Sequence, residues 1–283
     1  MGKIGHFFHY ALSSLLLLLL IPTIPLANKY DELTYKLRTV VLDAGHGGPI
    51  PGAKGPTALE KDIALQVTLK LGKAIEEALP GVKVLYTRDT DVNVDLYKRI
   101  EFANRNKADI FISIHCNAAP HKRERRRNSK GKYYYVNVPN RTARGTETLV
   151  SGYNRLGEQD AAIRENADIL LEDNYEENYQ GFDPSDPESY VIFSLMKNQY
   201  REQSIKLASL MQDEFARVGR VDRGVKEQGL AVLARAAMPA VLTEIGFISH
   251  PDEERYMKSA EGQAEIVENL LNAIKTYKRQ VER

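Results

Sequence analysis

Val40-Val41-Leu42-Asp43-Ala44-Gly45-His46-Gly47-Gly48 and Ile110-Phe111-Ile112-Ser113-Ile114-His115-Cys116-Asn117 each carry a short apolar run up to a histidine. A third run, Pro239-Ala240-Val241-Leu242-Thr243-Glu244-Ile245-Gly246-Phe247, arrives at a carboxylate instead. Short runs rich in Val, Ile, Leu and Phe, closed by Gly or Asn, read as buried strands of a parallel or mixed sheet. In open α/β sheets ligands bind beyond the carboxyl ends of the strands, so these polar side chains should converge on one crevice. Two imidazoles and carboxylates there form the donor set of a catalytic zinc, which points first to metal-assisted hydrolysis.

The segments between these runs predict helices. From Leu59 to Leu79, Ile63, Val67, Leu71, Ala74 and Ala78 form one apolar stripe that should face the sheet. Glu60 falls on that stripe in the first turn, which turns its carboxylate toward the sheet end carrying His46. Gly81 ends the helix, Val82 to Tyr86 reads as a strand, Leu96, Ile100 and Ala103 mark a second helix, and Asp109 to Ile114 supplies the next strand. This alternation argues for a single α/β domain with a mixed, mostly parallel sheet flanked by helices. Two stretches break it. His121 to Lys132 is basic and polar and reads as a surface loop, either a solvated face or a contact for anionic material. Glu158 to about Asp186 reads as an acidic, helical insertion ending in Gly181-Phe182-Asp183-Pro184. Beyond it, Ile192 to Val218 predicts a long helix buried through Ile205, Ala208, Met211 and Phe215, and Gln263 to Tyr277 a closing amphipathic helix.

Composition bounds the class. Of 283 residues 43% are hydrophobic and 27% charged, an ordinary globular balance. Lys3, an apolar block from Ala11 through Leu20 continuing to Ala27, and then polar Asn28-Lys29-Tyr30-Asp31 describe a secretory signal peptide over residues 1–27. An uncleaved membrane anchor is the alternative, since Pro22 and Pro25 interrupt the cleavage context. Removing that segment deletes Lys3 and takes the formal net charge from +1 to 0, which disfavours nucleic acid as a partner. Cys116 is the only cysteine, so an exported chain must be held by packing and metal without a disulfide.

His46, Glu60 and His115 are the candidate metal ligands, a set that suits zinc over magnesium or calcium. His6, His9, His121 and His250 have no comparable setting. Neighbouring side chains on a strand point to opposite faces, so Cys116 should pack away from the metal. An ionised Glu244 after Ala240-Val241-Leu242 is costly to bury unless something uses it. It would serve as a proton carrier, or else cap a turn or pair with an arginine.

Asp43-Ala44-Gly45-His46-Gly47-Gly48, Leu59-Glu60-Lys61-Asp62, Ser113-Ile114-His115-Cys116-Asn117 and Thr243-Glu244-Ile245-Gly246-Phe247-Ile248 together resemble the zinc-dependent N-acetylmuramoyl-L-alanine amidases that cut bacterial peptidoglycan. Pro51-Gly52-Ala53, Tyr86-Thr87-Arg88, Arg99-Ile100-Glu101-Phe102-Ala103-Asn104, Ala108-Asp109 and Ala231-Val232-Leu233 agree, so the likeness runs from about Val40 to about Tyr277. One departure is Ile50, where the family usually has an acidic residue. The resemblance implies a catalytic domain over residues 36–280 that cleaves the amide between N-acetylmuramic acid and L-alanine with zinc-activated water, Glu244 being the general base and acid. It also implies an exported, periplasmic location and an autoinhibitory helix within the insertion at 153–190, displaced by a protein activator. Arg164-Glu165-Asn166-Ala167 resembles part of that helix. Glu158, Glu165 and Glu172 are spaced to line one side, with Ile163, Ala167 and Leu170 roughly opposite. Glu165 is the expected zinc-blocking residue and Glu172 the alternative. Two other readings stay open: a zinc peptidase acting on a stem-peptide bond, and a catalytically silent wall-binding regulator.

Overall fold

The first apolar run becomes strand β1 (Thr39–Ala44), followed by helix α1 (Glu60–Ala78), β2 (Lys83–Tyr86), α2 (Leu96–Arg105) and β3 (Ile110–Asn117). A hairpin of β4 (Lys122–Arg127) and β5 (Tyr133–Val138) leads to β6 (Thr146–Ser151). The insertion carries α3 (Asp160–Asn166), a 3-10 turn over Ala167–Leu171, α4 (Tyr175–Asn178) and a second 3-10 turn at Pro187–Val191. The chain closes with α5 (Arg201–Arg217), β7 (Asp222–Gln228), α6 (Ala231–Ala234), β8 (Ala240–Phe247), α7 (Pro251–Lys258) and α8 (Ala260–Val281). This computed structural model describes residues 35–152, 159–192 and 199–282. The expected signal segment 1–27 and Glu158 lie outside them. Among the described residues no helix is long and apolar enough to cross a membrane.

Six strands form one sheet in the order β2-β1-β3-β8-β6-β7. All neighbours pair parallel except β6 against β8, so the sheet is mixed and mostly parallel, as expected. Successive strand residues face opposite sides. On one side Val40, Leu42, Ile112, Ile114 and Cys116 pack with Ile63 and Val67 of α1, Phe215 of α5 and Leu270 of α8. On the other, Val41, Phe111 and Leu242 pack with Ile100 of α2, Leu233 of α6 and Ala161, Ala162 and Ile169 of the insertion. His115 has the parity of Phe111, so it faces the insertion side, while Cys116 is buried against α1. The insertion is thereby placed over the histidines.

Three local expectations need correction. The basic stretch His121 to Lys132 is not a plain loop, because Lys122 to Arg127 pairs antiparallel with Tyr133 to Val138. Rings of Tyr133 and Tyr135 stack under arginines and hold the strands without a core: Arg125 lies 3.7 Å from the Tyr133 centroid and Arg123 4.8 Å from that of Tyr135. Strands β6 and β7 were not anticipated at all. Thr146 and Thr148 are buried on β6 by exchanging hydrogen bonds with Gln212, and β7 is a largely polar edge strand, so neither shows an apolar run. Finally, of the helix expected over Ile192 to Val218, residues 193–198 lie outside the described residues, Gln199 and Tyr200 form a turn, and α5 runs from Arg201, with Leu207 and Ser204 sharing its buried face while Ile205 is half-buried.

Candidate metal centre

The loop after β1 is shaped by buried arginines. Arg99 donates from Nη1 to Asp43 Oδ1 (2.8 Å) and Ala44 O (2.7 Å), and from Nη2 to His46 O (2.9 Å). Arg88 donates to Ala44 O (2.9 Å) from Nε and to Gly45 O (2.7 Å) from Nη2. Burial alone would raise the Asp43 carboxyl, but Arg99 and hydrogen bonds from Ser113 and Thr87 outweigh it and hold it below its usual range. This clamp keeps His46 at φ 56°, a left-handed conformation unusual for a residue with a Cβ. At the departure point the loop closes through paired hydrogen bonds of 3.0 Å between Gly47 and Ile50, whose side chain is buried.

The clamp predicts a stability effect. Replacing Arg99 with methionine leaves the Asp43 charge buried without its partner, a change that typically costs about 3–5 kcal/mol. The Arg99→Met variant should therefore unfold at clearly lower urea, and a loss below about 1 kcal/mol would show that the clamp is not what holds this loop.

His46, Glu60 and His115 do come together, although they belong to the β1 loop, the start of α1 and the end of β3. Glu60 is fully buried. Its Oε1 accepts from Cys116 N (2.8 Å) and lies 3.0 Å from His115 Nδ1. Its Oε2 accepts from Ala53 N (2.7 Å) and lies 3.2 Å from His46 Nε2. The approach leaves no room for a Cβ at two glycines: at Gly45 it would sit 2.4 Å from His115 Cε1, and at Gly52, where φ is +65°, 2.6 Å from Glu60 Oε2.

Glu165 of α3 completes the group, its Oε2 lying 3.2 Å from His46 Nε2 and 2.9 Å from His115 Nδ1. One donor atom from each of the four residues lies within 4.8 Å of all the others. Two of these atoms, His46 Nε2 and Glu165 Oε2, are buried without a hydrogen-bond partner, each a cost of about 1–3 kcal/mol that a coordinated cation removes. The electrostatics agree. Burial disfavours a charged His115, yet Glu165 and Glu60 push the ring up to about 9. These four residues can hold a metal ion.

Glu244, on β8, sits in register beside His115. It is fully buried, and its Oε1 accepts from Arg164 Nη2 at 2.7 Å while Oε2 has no hydrogen-bond partner. Burial pushes this carboxyl up, Arg164 opposing and Glu165 and Glu60 reinforcing the shift. A raised carboxyl is suited to taking and returning a proton near neutral pH. Arg164 also donates to Glu165 Oε1 (2.8 Å) and lines an adjoining cleft of about 980 Å³ with Asn117, Asn140, Arg223 and Phe247.

Glu172 is elsewhere. The helix ends at Asn166 and gives way to a 3-10 turn, so the seven-residue row is not continued. Glu172 instead accepts from Leu96 N (2.8 Å), at the uncapped start of α2, and from Tyr179 Oη (2.7 Å). It is therefore not at the donor cluster, which corrects it as the alternative to Glu165. The outward side of the insertion exposes Ile163, Leu170 and Leu171. Two contributors went unrecognised in the sequence. Asp168 Oδ2 accepts from His46 Nδ1 at 2.7 Å, an arrangement that fixes the tautomer and turns Nε2 toward the cluster. Its signal was its place three residues after Glu165, a spacing that a 3-10 turn keeps on one face. Arg164 carries no signal in the sequence beyond its place in Arg164-Glu165-Asn166-Ala167. Of the remaining histidines, His121 lines the cleft and His250 caps α7 by accepting from Asp252 N.

Comparison with known proteins places these positions in a wider set. The sequence profile described as N-acetylmuramoyl-L-alanine amidase matches residues 40–276. The chain is 28% identical to N-acetylmuramoyl-L-alanine amidase AmiC of Escherichia coli O6:H1, over 84% of this chain and 52% of that protein. It is 31% identical to the endolysin of Bacillus phage SPP1, over 83% of this chain and 66% of that one. The chain thus spans about half the length of the AmiC relative and about two thirds of the endolysin. Among solved structures, an N-acetylmuramoyl-L-alanine amidase from Clostridium difficile 630 superposes with a TM-score of 0.59 at 25% identity, covering 86% of this chain and 97% of that one. The CwlD amidase from Clostridioides difficile, solved in complex with the GerS lipoprotein, shares the fold with a TM-score of 0.58 at 23% identity, over 85% and 98%.

Proposed function

This chain belongs to the N-acetylmuramoyl-L-alanine amidase family, and from that premise we propose that it is a zinc-dependent peptidoglycan hydrolase. The bond cut is the amide between N-acetylmuramic acid and L-alanine of the stem peptide. The observation that carries the reading is the buried cluster of His46, Glu60, His115 and Glu165 with the raised carboxyl of Glu244 beside it. Two imidazoles and carboxylates suit zinc better than magnesium or calcium. His46, Glu60 and His115 would hold the ion, and Glu165, placed among the same donors, would compete there with substrate and water. The proposed catalytic domain spans residues 36–280, and residues 1–27 direct export to the periplasm.

When bound, zinc supplies a Lewis acid for the scissile carbonyl and lowers the pKa of the attacking water. The chain does the rest. Glu244 accepts the proton of the water as it adds to the carbonyl carbon, then returns it to the departing L-alanine amine. Asp168 and the amides of Ala53 and Cys116 keep His46 and Glu60 aimed while charge moves. The two carboxyl roles need opposite settings, and the surroundings support that division: backbone amides bind Glu60, whereas Glu244 has one oxygen free of hydrogen bonds.

The reading includes a self-blocked site, which two contacts support. Glu165 lies among the donors and Arg164 ties up Glu244, so one helical turn holds both the metal position and the base. The exposed Ile163, Leu170 and Leu171 offer an activator a face to grip. The CwlD neighbour was solved in complex with a lipoprotein, which accords with a protein partner here.

The test is digestion of purified peptidoglycan by the zinc-loaded wild type and by Glu165→Ala. Free stem peptides should appear, and faster with the variant. Shortened peptides still joined to sugar would mean a peptidase, and no release by either protein a binding protein. Equal rates for the two, with the deletion of Glu158 to Asp173 folded but no faster, would end the self-blocking proposal.

A further inference from the structure

The hairpin of β4 and β5 takes no part in the proposed chemistry. Seven basic residues between Lys122 and Val138 stand against Glu124 alone, and every residue from His121 to Lys130 is exposed. The only ion pair within the hairpin is Arg126 with Glu124 at 3.2 Å. Self-repulsion of this kind lowers stability, and an isolated two-stranded ribbon is marginal in water to begin with. Its composition therefore calls for an explanation other than folding.

The charges are ordered. Arg123, Arg125 and Arg127 alternate along β4 and so share one face with Tyr133 and Tyr135, which lie opposite Arg127 and Arg125 in the register. Alternate strand residues are about 6.6 Å apart, so the three guanidiniums form a ladder. Stacking on tyrosine, with Arg125 at 3.7 Å and Arg127 at 5.6 Å from the Tyr133 centroid, fixes each plane; Arg127 also donates from Nε to Gly131 O (3.0 Å), which braces it on the turn and leaves its terminal nitrogens for a ligand. A fixed planar edge is what bidentate capture of carboxylates uses. The turn is itself locked: Asn128 Oδ1 accepts from Lys130 N (3.0 Å) and Lys132 N (2.9 Å).

The position is equally specific. Both feet of the hairpin line the cleft beside Arg164, through Pro120 and His121 on one side and Pro139 and Asn140 on the other. A polymer lying in that cleft continues directly onto the ladder. The tip, Asn128-Ser129-Lys130-Gly131-Lys132, has no apolar residue, whereas segments that enter a membrane surface present Trp, Phe or Leu.

We propose that the ladder of Arg123, Arg125 and Arg127 is a second holding site for the wall polymer, binding carboxylates of stem peptides away from the one being cut. This rests on the peptidoglycan reading of the cleft. Its test is co-sedimentation of the zinc-loaded full chain with purified sacculi freed of phosphodiester polymers by hydrofluoric acid. The R123S/R125S/R127S variant should bind about tenfold more weakly and lose most of the salt dependence. The opposite-face variant K122S/R126S should change affinity by less than about threefold, since generic charge contributes little once screened.

Unchanged sedimentation of the triple variant, with its unfolding temperature preserved, overturns the proposal. So does an equal loss in both variants, which would mean unspecific charge. Hairpin-dependent binding to vesicles of phosphatidylglycerol and phosphatidylcholine, without binding to sacculi, assigns the surface to a membrane and also overturns it. Release of stem peptides by the wild type is scored separately, so failure of the hydrolase reading is distinguished from failure of this site.

Discussion

Replacing His115 with alanine should remove bound zinc and peptidoglycan hydrolysis together. The ring supplies one of only two imidazoles in the cluster, and its Nδ1 lies within 3.0 Å of carboxylate oxygens from both Glu60 and Glu165. Without it one nitrogen and two carboxylates remain, a poorer set for zinc and one with its charge less compensated. Loss of an outer-sphere partner alone costs about 10–100-fold in metal affinity, and loss of a ligand should exceed that. After dialysis, metal analysis should fall from about one zinc per chain to a small fraction, with stem-peptide release at background. Circular dichroism checks that β3 has kept its place. A folded His115→Ala protein that retains stoichiometric zinc would rule out the assignment.

Glu244→Gln should do the reverse, keeping zinc and fold while losing turnover. Glutamine preserves the shape of a fully buried side chain and still offers Arg164 an oxygen, but it neither accepts the proton of water nor returns one to the amine. The expected fall in kcat is about 10²–10⁴, the range of general acid–base catalysis, with KM little changed. Because the wild type is proposed to be self-blocked, the comparison is best made with Glu165→Ala present in both proteins. Near-normal turnover in zinc-loaded protein would leave Glu244 as a structural partner of Arg164 and nothing more.

The central sheet and the histidines were legible for one reason. Buried parallel strands read as unbroken apolar runs, and β1, β3 and β8 are of that kind, so the residues that close them stand out. Glu60 could be placed because α1 has a clean stripe. Strand β6 could not, since its burial is achieved with threonine hydroxyls satisfied by Gln212, which hydropathy reads as polar. The hairpin was missed because stacking of arginine on tyrosine leaves no periodic apolar signal. Glu165 emerged from resemblance, and Glu172 was mistaken because extrapolating a helical period assumes that the helix continues past Asn166. Asp168 was within reach through its three-residue spacing from Glu165, which a 3-10 turn keeps on one face.

Arg164, Glu165 and Asn166 are consecutive, and each grips something different. The first holds Glu244, the second enters the donor cluster, and the third bonds Gly229 O (2.7 Å) and Ala231 N (2.9 Å) beyond β7. Three grips on one short turn cannot be released one at a time without leaving a charge or an amide buried and unmatched. If the turn blocks the site as proposed, opening would be a single cooperative event, with each molecule either shut or working. For such a latch, inverting a 99:1 preference for the shut form requires a binder that prefers the open form by about 10⁴-fold, or about 5.5 kcal/mol. A binder with weaker discrimination would raise the average rate by enlarging the open fraction, with every open molecule still running at full speed.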